Sequence, residues 1–269
     1  MLRTRILTAL IIAPAALAAI FLLSVEDFRW FIFGLMILSG WEWANFIRLG
    51  ALGRWLYGIG LGILLWTTSE SLQMWIVLAG LWWLIAFALI LKFPSQPEFW
   101  NRREVLAAVG VIALVPCGVS LNVLKSMPQA ESLIMLLLLL IWSADIGAYF
   151  VGRRFGRRKL LAAVSPGKSV EGLLGGLAVT LIVGLIMTAT VAPIAQMSVP
   201  SLLWGIVFVV IALVSALGDL TLSMFKRIRG IKDSSQLLPG HGGILDRLDS
   251  LYSSAPLFVV LVTYLAGQA

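Results

Sequence analysis

Charge is what this sequence has least of. Only 12% of its 269 residues are Asp, Glu, Lys or Arg, where a soluble domain carries about a quarter. Hydrophobic residues make up 60%, and the mean hydropathy is +1.00. So few charged groups cannot cover a water-facing surface. A soluble enzyme, a disordered chain and a secreted disulfide scaffold are excluded, and a polytopic membrane protein remains. The single cysteine, Cys117, sits inside an apolar run, so no intrachain disulfide can form. The single histidine, His241, excludes a His-rich metal site. Acidic residues are also scarce, 13 against 20 Lys and Arg. In a membrane protein the resulting charge of +7 reports topology and contact with anionic lipid, not nucleic acid.

What the sequence has is apolar runs. A helix needs about 20 mostly apolar residues to cross a bilayer. Nine stretches approach that: Ile6–Ser24, Phe28–Ile47, Trp55–Thr68, Leu72–Leu91, Val105–Leu124, Ser132–Val151, Gly172–Ile194, Leu202–Leu222 and Leu251–Ala266. The third is short and glycine-rich. The expected fold is an all-α integral membrane protein of about nine transmembrane helices. The longest polar stretches are Gly152–Glu171 and Ser223–Ser250. Arg3 and Arg5 ahead of an alanine-rich run give the first span some likeness to a signal peptide. The run is long for that role, and a retained helix keeps the charge pattern consistent. With the N-terminus in the cytoplasm and the C-terminus outside, 18 of the 20 Lys and Arg fall in inside segments; Arg29 and Lys125 are the exceptions. This is a strong positive-inside bias, and it largely collapses if the third span is removed. The leucine run 136–140 reads as a lipid-facing helix.

An ionised carboxylate in hydrocarbon is costly without a partner or water. Glu42, Asp145 and Asp219 fall inside or at the ends of apolar runs, each in the cytoplasmic half of its span. Three acids at similar depth suit a water-filled pocket open to the cytoplasm. Each also has a plainer reading. Glu42 lies between Trp41 and Trp43 and reads as an interfacial residue, and Asp145 could pair with an arginine for structure.

The two polar stretches carry the remaining signal. In the first, Arg153, Arg154, Arg157, Arg158 and Lys159 crowd into seven positions. Arginine forks match phosphate geometry; the competing reading is an anchor against anionic lipid. Gly167-Lys168-Ser169 is not a nucleotide-binding phosphate loop, because Ala162 stands where its upstream glycine belongs and a membrane helix follows. Ser165, Lys168 and Ser169 do lie near the start of span seven, where backbone N–H groups favour an anion. The second stretch combines Lys226, Arg227, Arg229 and Lys232 with a glycine-flanked His241 and with Asp246 and Asp249, three apart and on one face if helical. Asp219 and Ser223, four apart, point into the same region. Carboxylates beside several cations suit a metal-bound polyphosphate, since Mg²⁺ binds through one or two carboxylates plus phosphate oxygens.

From Ser223 to Asp249 the chain resembles the signature of the phosphatidate cytidylyltransferases, also called CDP-diacylglycerol synthases. The matching positions are Ser223, Lys226-Arg227, Lys232-Asp233, Ser235, Pro239, His241-Gly-Gly243, Asp246-Arg247 and Asp249. Asp145–Gly152 and Ser165–Gly172 also look like that family. The likeness covers most of the C-terminal half; residues 1–102 match only in forming about four spans. The resemblance implies a catalytic region at 103–269 with about five spans and cytoplasmic loops at 152–171 and 223–250. It implies CTP and phosphatidate as substrates, CDP-diacylglycerol and pyrophosphate as products, and Mg²⁺ as cofactor, with a monovalent cation such as K⁺ as a second candidate. It further implies a homodimer in a bacterial inner membrane. Carried over by motif, Asp219 and Asp246 would bind metal, and Ser223, Lys226, Arg227, Asp249 and Asp145 would form the catalytic group. Lys168, Ser165, Arg153, Arg154, His241 and Arg247 would bind substrate, His241 as a donor or loop-shaping residue, not a metal ligand. The rivals are a related membrane enzyme acting on another lipid phosphate or a polyprenol, and an ion-coupled transporter. The transporter predicts inverted repeats, which are not visible.

Overall fold

The computed structural model describes residues 2–95, 98–197 and 199–266. The chain runs α1 (Leu2–Leu22), α2 (Val25–Phe46), α3 (Ala51–Thr67), α4 (Leu72–Lys92), a 3₁₀ turn at Glu98–Asn101, α5 (Arg103–Lys125) and α6 (Ala130–Phe155). It continues with β1 (Lys159–Leu161), β2 (Ser165–Ser169), α7 (Val170–Thr190), the short α8 (Ala192–Ala195), α9 (Ser201–Arg229) and α10 (Leu245–Ala266). Each apolar run lies on a helix, as hydrocarbon demands, because it offers no outside partner to backbone N–H and C=O groups. Among the described residues, α4, α5, α6, α7, α9 and α10 are long and apolar enough to cross a membrane. α3 is 17 residues long, and α2 carries Glu26, Asp27, Arg29 and Glu42. The side chains of Arg3 and Arg5, which enter the charge pattern, lie outside the described residues.

The central helices are α5, α6 and α10. On α10, Ala255, Phe258, Val259 and Val262 are all fully buried. Leu136, Leu137 and Leu140 are fully buried too, which corrects the expectation that the leucine run faces lipid. α6 packs against α5, α7, α9 and α10, which covers its leucine run, while its second half exposes Trp142, Ile146 and Phe150. The outer helices supply that surface through residues such as Leu84, Ile182 and Leu202.

α6 and α7 approach closely through glycine. A Cβ on Gly147 would meet the Gly175 carbonyl oxygen at 2.8 Å, and one on Gly176 would meet that of Ala144 at 2.7 Å. Small residues that let backbones meet are how membrane helices gain packing energy, since burial from lipid supplies none.

Both polar stretches are more ordered than expected. β1 and β2 form an antiparallel hairpin pairing Lys159 with Ser169 and Leu161 with Ser165. It leads into α7, whose cap is Ser169: its Oγ accepts from the Gly172 N–H at 3.1 Å. Ser223–Arg229, assigned to a loop, is the end of α9. Its Lys226, Arg227 and Arg229 lie in the last turn, where cations suit the helix dipole, and Gly230 closes it at φ 72°. α10 starts at Leu245, so the irregular part of this loop is 230–244.

Candidate active site

A cavity of about 430 Å³ opens between α6, α7, α9 and the hairpin. α6 supplies Asp145, Ala148, Tyr149 and Arg153; the hairpin supplies Leu160 and Lys168; α9 supplies Ser215 and Asp219. Apolar side chains and α7 glycines complete the wall. The central contact is an ion pair, Lys168 Nζ to Asp219 Oδ2 at 2.6 Å, with both side chains less than a third exposed. Ser223, one turn on, donates its hydroxyl to Asp219 Oδ1 at 3.2 Å. Asp145 lies within electrostatic reach of Asp219, Lys168 and Arg247. Thus Asp145, Arg153, Lys168 and Asp219, singled out in distant segments, line one cavity.

Behind it stands a second, tighter group. Asp246 Oδ1 accepts from Lys226 Nζ at 2.8 Å. Its Oδ2 accepts from the Ser234 N–H at 2.8 Å, the Ser234 hydroxyl at 2.9 Å and the Gly243 N–H at 3.0 Å. The Asp246 side chain is only 5% exposed, so both oxygens are engaged and shielded. Asp249 accepts from the Ser250 N–H at 2.8 Å and lies within reach of the charges on Asp219, Lys226 and Asp145. Among the described residues, Asp145 and Asp249 form no ion pair, and no three His, Cys, Asp or Glu side chains converge on a point that could hold a metal.

The other expected residues are placed less directly. Arg153 reaches the cavity and bonds the Tyr149 hydroxyl at 3.0 Å. Arg154 is exposed and stands outside the cavity lining. Ser165 is a strand residue paired with Leu161 and also lies outside the lining. Arg227 Nε donates to the Val164 carbonyl at 3.3 Å, fastening the hairpin to the end of α9. The His241 carbonyl accepts both Nε and Nη2 of Arg247, at 3.1 and 2.9 Å, so these two shape the loop together. Within the basic cluster, Arg158 pairs with Glu171 at 3.3 Å, and the Arg157 and Arg158 N–H groups bond the same carboxylate.

Comparison with known proteins connects these features. The model of the cytidylyltransferase family matches residues 3–265. The chain belongs to the cytidylyltransferase family. It is 42% identical over 266 residues to the phosphatidate cytidylyltransferase of Pseudomonas aeruginosa, covering 97% of each chain. It is 36% identical to the enzyme of that name from Haemophilus influenzae, covering 96% of this chain and 97% of the other. A third of the same name, from Brucella suis, is 33% identical, over 95% and 91%. Membership in the cytidylyltransferase family therefore extends through the N-terminal half, where the sequence resemblance was confined to the presence of spans.

One residue of that half corrects its expectation. Glu42 does not face interfacial water or headgroups; it is completely buried within the protein. Its carboxylate accepts from the Ser234 and Ser235 hydroxyls and from the Ile244 and Leu245 N–H groups. The flanking tryptophans suggested an interface, and the only contrary signal was a carboxylate inside an apolar run. Ser234 and Asn45, which bond this loop, were also missed, since nothing local distinguishes them.

Proposed function

We propose that this protein transfers the cytidylyl group of CTP to phosphatidate, giving CDP-diacylglycerol and pyrophosphate. The match to phosphatidate cytidylyltransferases over 97% of both chains carries the reading. A phosphate oxygen of phosphatidate attacks the α-phosphorus of CTP, and the bond to pyrophosphate breaks. The nucleophile is already an anion, so no strong general base is needed; the barrier is anion meeting anion.

The cavity supports this chemistry. Its apolar walls suit a lipid, and its polar end offers Lys168 and Arg153 to phosphate oxygens. Lys168 would shift from Asp219 toward the phosphates as substrate enters, neutralising charge that develops in the transition state. Ser223 holds Asp219 in orientation, while Lys226 and Asp246 brace the wall behind. Asp219 and Asp145, both on the cavity wall, would give one or two ligands to a hard divalent cation that takes the rest from phosphate and water. Asp246 would first have to release Lys226. Bound there, Mg²⁺ would screen the nucleotide phosphates and favour departure of pyrophosphate.

The charge pattern supports nine spans with the loops in the cytoplasm, and the bacterial relatives support an inner-membrane setting. Detergent-purified protein given labelled CTP, phosphatidate and Mg²⁺ should yield a liponucleotide and pyrophosphate only when all three are present. Absence of product with folded protein, alongside turnover of another lipid phosphate, would reassign the acceptor.

A further inference from the structure

We infer that Glu42 is a positioning residue for the site: it fixes the start of α10 and the Ser234–Ser235 turn so that Asp246 and Lys226 meet. The kinetic consequence rests on the reaction proposed above; the structural one does not. Glu42 Oε1 accepts from Ser235 Oγ at 2.6 Å and the Ile244 N–H at 2.9 Å. Oε2 accepts from the Leu245 N–H at 2.7 Å and Ser234 Oγ at 3.1 Å. The N–H groups at a helix start have no partner within the helix and present positive charge. Here a carboxylate from α2, about 200 positions away in sequence, supplies the acceptor, buried and beyond competition from water.

Ser234 couples this anchor to the site. Its hydroxyl lies between Glu42 Oε2 and Asp246 Oδ2, at 3.1 and 2.9 Å, and its single proton serves one carboxylate at a time. Its N–H holds Asp246 independently. A side chain on Gly243 would collide with both Ser234 Oγ and the Glu42 carboxylate. One glycine of the His-Gly-Gly run is therefore explained by a residue of α2. One turn further along α2, Asn45 Nδ2 donates to the Ser234 carbonyl at 3.1 Å, and Arg229 Nε donates to the Asn45 carbonyl at 2.9 Å. The end of α2 thus clamps both borders of the 230–244 loop.

The test is Glu42→Gln in full-length purified protein. The amide keeps the volume, but its NH₂ cannot accept from a main-chain N–H. Turnover should fall about 100-fold, as misplacement by about an ångström can produce. KM for CTP should change by less than about threefold, because the cavity residues keep their geometry. Without substrate, amide hydrogen exchange across 234–246 should speed up about tenfold or more, with α5 and α6 unchanged, because only a local opening is eased. Wild-type exchange in that segment, or kcat within about threefold of wild type, overturns the assignment, as does faster exchange throughout the bundle. Should Glu42→Gln fail to fold, Ser235→Ala removes one donor only; it must accelerate the same local exchange, and no change overturns the proposal. If the wild-type protein makes no CDP-diacylglycerol, the proposed reaction fails, and exchange alone decides on Glu42.

Discussion

Asp219 and Asp246 share a signature but not an environment, and the difference makes opposite predictions. Asp219 faces the cavity and holds Lys168 across a partly exposed ion pair. Asp219→Asn should leave the thermal midpoint in detergent nearly unchanged, because such pairs contribute little to stability. The Mg²⁺ concentration for half-maximal turnover should rise about tenfold or more, as loss of support at a metal site produces; an unchanged Mg²⁺ titration would remove Asp219 from the metal. Asp246 is sealed against Lys226 and three other donors. Asp246→Asn strands a largely buried cation (Lys226 is 16% exposed), a loss of up to about 3 kcal/mol, so the midpoint should drop by a few degrees along with activity. Equal stability would show that Lys226 finds another acceptor. The sequence singled out both aspartates. It could not rank their burial, because burial depends on what packs over them.

At the scale of elements, helix positions were legible and helix ends were not. Hydropathy located every long helix, since an apolar stretch in lipid has no other way to satisfy its backbone. The two polar stretches were harder to read. Lys and Arg at 226–229 looked like loop residues because they are charged, yet charge in the last turn of α9 extends the helix beyond its apolar segment. The hairpin strands Lys159–Leu161 and Ser165–Ser169 are too short for an alternating pattern to stand out. The α6–α7 contact gives a test at this scale. Gly147→Leu would force those helices apart along the wall bearing Asp145. Overpacking of this kind costs about 1–3 kcal/mol, and lipid-substrate KM should rise more than CTP KM. Equal changes in both would mean that the cavity wall does not hold the lipid.

For the whole molecule, orientation is the open prediction, and the lone buried Cys117 makes it simple to check. Gln236→Cys and Ser126→Cys introduce exposed thiols at the two polar ends of the bundle. A membrane-impermeant maleimide should label position 236 only from the cytoplasmic side and position 126 only from the other. Labelling of both from one side would exclude nine spans. The sequence by itself determined the class, the helical runs, the charge bias and the family signature, because these follow from composition and pattern along the chain. Only the tertiary structure decided which carboxylate faces the cavity, which is sealed, and that Glu42 holds the start of α10. Hydrogen bonds between segments about 200 residues apart follow from how helices pack, and local sequence carries no record of that.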